Sequence, residues 1–177
     1  KSDVAILLIT FILTVLIDLT VAIEIGMVLA VFLFMRNMIK FSEVNVLKAE
    51  LDNEKESFAN EAINSFIVPK DVEVFEIKGP LFFGAAFKFK EAMRIIEKPQ
   101  KVFIIRMRYV PIIDATGIRV LNDVYKTAKL KGTKLILSEI ISSQVYDELN
   151  KSRLIFAIGK ANICDTFNEA IERANII

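Results

Sequence analysis

Hydrophobic positions follow two unlike patterns along the chain. Val4–Ile17 is an uncharged, almost wholly apolar run, and Asp18 and Glu24 are the only charges before the next such run, Ile25–Met35. That density leaves no polar stripe for water, so the segment reads as one that sees lipid. From Asp71 onward the pattern is that of an ordinary α/β domain. Val72–Ile77 alternates as a strand does. Gly79-Pro80 breaks it, Leu81–Phe83 reads as a short second strand, and Ala85–Glu97 reads as a helix with Phe89, Met93 and Ile96 on one stripe. Val102–Ile105 is a continuous apolar run, expected of a strand buried on both faces. Ile118–Leu130 predicts a helix, which Gly132 terminates at the C′ position. Lys134–Leu137 predicts a strand. Ser142–Asn150 predicts a helix with Ser142 or Ser143 as its cap. Ile155-Phe156 predicts a brief strand, and Ala161–Ala174 a last helix carrying Cys164 within its apolar pattern. This order predicts an α/β fold, a mixed β-sheet with helices packed on it, preceded by a short two-helix transmembrane hairpin.

The first segment fits a hairpin better than one span. A helix over residues 4–39 would be about 54 Å long, against about 30 Å of hydrocarbon, and each uncharged run alone reaches only about 17–21 Å. Two short helices in a V, with Asp18, Thr20 and Glu24 near the turn and the second helix start, reconcile these lengths. Short apolar helices need other membrane helices to pack on, so the chain is expected to be a fragment of a larger membrane protein, with Lys1 not a natural start. The other reading is a hydrophobic hairpin buried in a soluble protein. Lys1-Ser2-Asp3 does not make the basic region of a signal peptide. Arg36 and Lys40 follow the second run, and the positive-inside tendency then places the rest in the cytoplasm. The expected organisation is residues 1–40 as membrane helices, 41–70 as a linker holding the charged run Lys48–Glu56, and 71–177 as a cytoplasmic domain.

Composition sharpens this division. Of the first 35 residues 26 are hydrophobic and four are charged, while the other 142 hold 41 charges, so the overall figure of 54% hydrophobic averages two segments. A net charge of +1 argues against nucleic acid as a partner. The chain has no His, which excludes a His-based triad and the commonest metal ligand. Neither a Gly-x-x-x-x-Gly-Lys-Ser/Thr loop nor a Gly-x-Gly-x-x-Gly occurs. No catalytic residue, metal site or cofactor is expected, and the chain does not read as an enzyme. The single Cys164 reads as a small buried hydrophobe, and a lone free thiol fits a reducing compartment. Asp18 and Glu24 at membrane depth read either as a polar turn or as part of an ion path.

One loop stands out: Asp114-Ala115-Thr116-Gly117, between a strand and a helix. Asp114 is placed to cap the helix and complement its dipole. The hydroxyl of Thr116 then lies near unpaired backbone N–H groups, where a phosphate would be favourably held. Plain capping accounts for the same residues.

Gly79-Pro80-Leu81-Phe82-Phe83-Gly84-Ala85-Ala86, followed by Asp114-Ala115-Thr116-Gly117 before a helix, resembles the STAS domain of SulP-type anion transporters, the SLC26 relatives. Leu8-Ile9-Thr10-Phe11, Asp18-Leu19 and Ile25-Gly26-Met27 resemble the last membrane segments of that family. The resemblance implies the C-terminal fragment of a secondary transporter for sulfate, bicarbonate or a related anion. It implies the remainder of the membrane domain as partner, a lipid bilayer, homodimeric assembly, and a STAS domain serving assembly and regulation on the cytoplasmic side of the inner membrane. A cytoplasmic regulatory protein is a further implied partner. The STAS fold also occurs in anti-sigma-factor antagonists, whose corresponding loop reads Asp-Ser-Ser-Gly and is phosphorylated at its second hydroxyl. Thr116 matches that position and Ala115 departs from it, so a soluble phospho-switch is the alternative. Asp114, Thr116 and Gly117 form the candidate regulatory loop.

Overall fold

A computed structural model describes residues 2–41, 43–47, 68–82, 88–91 and 100–177. The chain divides into two compact units, Lys1–Phe41 and Ser42–Ile177.

The first unit is a helical hairpin of α1 (Ser2–Leu16) and α2 (Leu19–Phe41). Asp18 makes the turn, accepting from the backbone N–H of Thr20 at 3.3 Å, as an N-cap does. Here the structure corrects the expectation of two short helices. α2 runs straight through Glu24 for 23 residues, about 35 Å at 1.5 Å per residue. Its stretch Leu19–Asn37 is long and apolar enough to cross a membrane by length and composition. One carboxylate does not end a helix, because glutamate is itself a good helix former. The two helices meet where α2 is small: Ala22 and Gly26, one turn apart, are buried. A Cβ on Gly26 would lie 2.8 Å from Thr10 Oγ1. Small residues at that spacing let helices approach closely. Around the contact the hairpin exposes Leu7, Phe11, Val15, Phe32 and Phe34.

The second unit is built on a five-stranded sheet in the order β1-β2-β3-β4-β5. The strands are β1 (Glu43–Leu47), β2 (Val72–Lys78), β3 (Val102–Tyr109), β4 (Lys134–Ser138) and β5 (Ile163–Cys164). β2 to β5 are parallel, and β1 is antiparallel to β2, with Glu43 opposite Lys78. β1 lies in the stretch read from the sequence as linker. The mixed sheet with helices on it is the expected fold class. Its helices are α3 (Ala115–Leu130), α4 (Ser143–Lys151), α5 (Leu154–Ile158) and α6 (Phe167–Ile176), and residues 88–91 are also helical.

Strand alternation divides the core in two. Phe75, Ile77, Phe103, Ile105, Leu135 and Leu137 pack with Leu121, Val124, Val145, Leu149 and Leu154 from α3, α4 and α5. Phe75 meets Phe89 and Phe103 edge-on, with ring centroids 6.0 and 5.7 Å away. On the other face Val74, Val102, Ile104 and Ile136 pack under α6 through Phe167, Ala170 and Ala174.

Several elements differ from the sequence reading. Leu81 makes only an isolated parallel bridge to Ile113, so Leu81–Phe83 is not a strand as far as it is described; Phe83 lies outside the described residues. Of the helix expected over 85–97, residues 88–91 are confirmed, while Met93 and Ile96 fall outside the described residues, as does the charged run 48–56. Ile155-Phe156 is helical, with Leu154, Ile155 and Ile158 buried and Phe156 exposed, a helical spacing and not an alternation. Cys164 lies in β5 and not in the last helix. That helix starts at Phe167 because Thr166 Oγ1 accepts from Glu169 N at 3.3 Å, while Glu169 Oε2 accepts from Asp165 N at 3.0 Å. β3 runs four residues past Ile105 because Arg106, 5% exposed, is neutralised inside the fold. Its Nη1 lies 3.2 Å from Glu76 Oε1 and its Nε 2.6 Å from Glu139 Oε2. The guanidinium also stacks 4.3 Å from the centre of the Phe167 ring.

Candidate functional site

The Asp114–Gly117 loop joins the end of β3 to α3, at the C-terminal end of the parallel strands. Asp114 is the N-cap of α3, with extended backbone, and its Oδ1 accepts from the N–H of Gly117 at 2.8 Å. The bond satisfies one of the donors that a helix start leaves unpaired and sets a negative charge on the positive end of the dipole.

Gly117 has a separate reason to be there. A Cβ at this position would stand 2.2 Å from the carbonyl oxygen of Leu81 and 2.7 Å from Ile113 Cγ1. Only glycine lets the first turn of α3 lie against the backbone of residues 79–81. That segment is itself pinned: Gly79 N donates to Tyr109 O at 2.9 Å and Leu81 N to Ile112 O at 3.0 Å.

Gln144, to which the sequence assigns no role, and Ser142, expected there as a helix cap, hold the loop from the other side. Gln144 grips Ile113 with both ends of its amide, Oε1 accepting from Ile113 N at 3.0 Å and Nε2 donating to Ile113 O at 2.9 Å. Ser142 sits at the N-cap position of α4 but does not cap; its hydroxyl donates to Pro111 O at 2.8 Å. No local motif marks these roles, since both contacts span 31 residues of sequence.

Thr116, between the capping aspartate and the packed glycine, is exposed on the first turn of α3. The structure therefore brings Asp114, Thr116 and Gly117 together on one hydrogen-bonded turn, with Asp114 half-buried, Gly117 buried and the threonine exposed. A phosphate on its hydroxyl would face the amino end of a 16-residue helix. Arg119, one turn on, lines a shallow groove with Ala115, Ile118, Asn122, Asp123 and Lys126.

Chemistry elsewhere is sparse. No cluster of three or more metal-ligating side chains occurs among the described residues. Cys164 is buried, and burial pushes its thiol above the ordinary range, so it stays protonated and unreactive at neutral pH.

Residues 65–170 match the STAS domain family. The chain is 27% identical over 173 residues, 96% of its length, to the "Putative sulfate transporter YvdB" of Bacillus subtilis (strain 168), of which it spans 30%. A crystal structure of a sulfate transporter family protein from Wolinella succinogenes is similar at 39% identity and a TM-score of 0.61, covering 66% of this chain and 95% of that one. Murine Slc26a9, an anion transporter in the inward-facing state, is 16% identical with a TM-score of 0.75. That match covers all of this chain and 29% of the transporter, a likeness of fold. The capped loop, the glycine packed on residue 81 and the mixed sheet are thus found in a matched domain that covers more than half of the sequence, and the chain belongs to the STAS domain family, in the form carried by sulfate transporter family proteins.

Proposed function

We propose that this chain is the C-terminal part of a membrane transporter for sulfate, bicarbonate or a related anion, and not an enzyme. In this reading residues 1–40 are its last membrane helices and the STAS domain lies on the cytoplasmic side of the inner membrane. The observation that carries the reading is joint. An apolar hairpin and a STAS domain stand in one chain, and the similarity to a protein named for sulfate transport extends over both. Seven-tenths of that relative lies outside the match, and the translocation path belongs to that missing part.

The STAS domain then serves assembly and regulation. Its partners are the remainder of the membrane domain, a second copy of the protein and a regulatory protein in the cytoplasm. The Asp114–Gly117 loop is the candidate point of regulation: Asp114 and Gly117 hold the turn, and Thr116 is the group a partner reaches.

The coding sequence that surrounds this chain tests the reading. It should contain further apolar segments of about 20 residues each, enough for a multi-span transporter core. A reading frame that lacks them would leave the hairpin without membrane partners and overturn the proposal.

A further inference from the structure

Between Leu19 and Met35 α2 carries a single charge, Glu24. It stands on the side of α2 that α1 leaves open. A helix turns by about 100° per residue, so Glu24 lies nearly opposite both Ala22 and Gly26, the residues buried in the hairpin contact. Ile23, Glu24 and Ile25 are correspondingly exposed. No hydrogen bond or ion pair joins the Glu24 carboxylate to any described residue. No cation of α2 reaches it either: Arg36 is twelve residues on, about 18 Å along the axis. Asp18, at the turn, has the same sign.

The position of this charge decides what can face it. Glu24 is five residues inside the apolar window that starts at Leu19, about 7–8 Å of helix. Two methylenes are too short a stem to carry the carboxylate back to water over that distance, as the longer lysine and arginine stems do. Ionisable side chains within spanning helices are costly against lipid and face protein or an aqueous cavity. An anion would be repelled by a carboxylate on its path, so a cation-bearing helix suits Glu24 and the path itself does not. The chain needed for such a helix exists in the relative that matches both units, since seven-tenths of that protein lies outside the match.

We infer that the Glu24 side of α2 packs against a membrane helix encoded outside residues 1–177, and that this helix carries a lysine or arginine paired with Glu24. This rests on the membrane reading of the hairpin, and the experiment below separates the two.

In the protein from the complete reading frame, Val28 is replaced by the photo-crosslinking residue benzoylphenylalanine. Val28 is one turn from Glu24 on the same side of α2 and 55% exposed in the hairpin. Illumination in the native membrane should join position 28 to a peptide outside residues 1–177 that holds a lysine or arginine within an apolar segment. Glu24→Lys sets like charges together and should lower the yield of folded protein on size exclusion by about tenfold. Changing the cation of the crosslinked peptide to glutamate in the same protein should restore that yield. Crosslinks confined to lipid, or to residues 1–177 of a second copy, overturn the inference, as does a crosslinked segment without a cation. So does a Glu24→Lys protein that folds in undiminished yield, or one that the reversed cation fails to restore. Each of these results leaves the hairpin reading standing. Release of the unsubstituted protein from the membrane by alkaline carbonate overturns the hairpin reading itself.

Discussion

Gly117 and Thr116 are neighbours with opposite constraints. Gly117 has no room: a methyl group there collides with the backbone oxygen of Leu81, which cannot swing aside as a flexible side chain would. Gly117→Ala is expected to destabilise the STAS domain by about 3 kcal/mol, at the upper end of overpacking costs, measured by urea unfolding. A loss below a few tenths of a kcal/mol would show that the contact is not tight. Thr116 has room and faces solvent. Thr116→Glu places a negative charge at a helix start, so the fold should be unchanged or stabilised by about 0.3–1 kcal/mol. Phosphopeptide mass spectrometry of the protein from its native cell tests whether the site is used: regulation through this loop predicts phosphate on Thr116, and persistent absence of it under varied growth conditions counts against that role. The Asp114 cap was legible from the sequence because it is local chemistry. Gln144 and Ser142 were not, because their partners come from a different strand–helix connection.

At the scale of elements, sequence patterns were readable where one physical cause acted alone. β2, β4 and most of α3 follow alternation, apolar runs and the Gly132 stop, and the structure has them. The apolar run predicts only Val102–Ile105 for β3 because a charge normally marks an exposed end; the strand's continuation depends on Glu76 and Glu139, which come from elsewhere in the chain. Apolar periodicity alone starts the last helix at Ala161, whereas the capping pattern Thr166-Phe167-Asn168-Glu169 marks the true start. In the hairpin, Glu24 hid the length of α2 for the same reason that Arg106 hid that of β3. The contact between α1 and α2 gives a direct test. A leucine at Gly26 would have to displace Thr10, whose hydroxyl donates to Ile6 O at 2.8 Å. Gly26→Leu is expected to loosen the helix pair by about 1–3 kcal/mol, read as a lower melting temperature in detergent, with STAS unfolding in urea unaltered. Equal loss of both would contradict the division into two compact units.

For the whole molecule, the hydrophobicity of the sequence resolves into an apolar hairpin and a STAS domain with its own two-faced core. Neither unit contains a path for an anion among its described residues: the hairpin buries small residues, and the domain fills both faces of its sheet. The function proposed above assigns the transport step to a part of the protein outside residues 1–177. The most direct measurement is uptake of radiolabelled sulfate and bicarbonate into proteoliposomes, comparing residues 1–177 with the protein encoded by the complete reading frame. The account predicts saturable flux of at least one of these anions for the complete protein and none for residues 1–177. Saturable flux from residues 1–177 alone would contradict it.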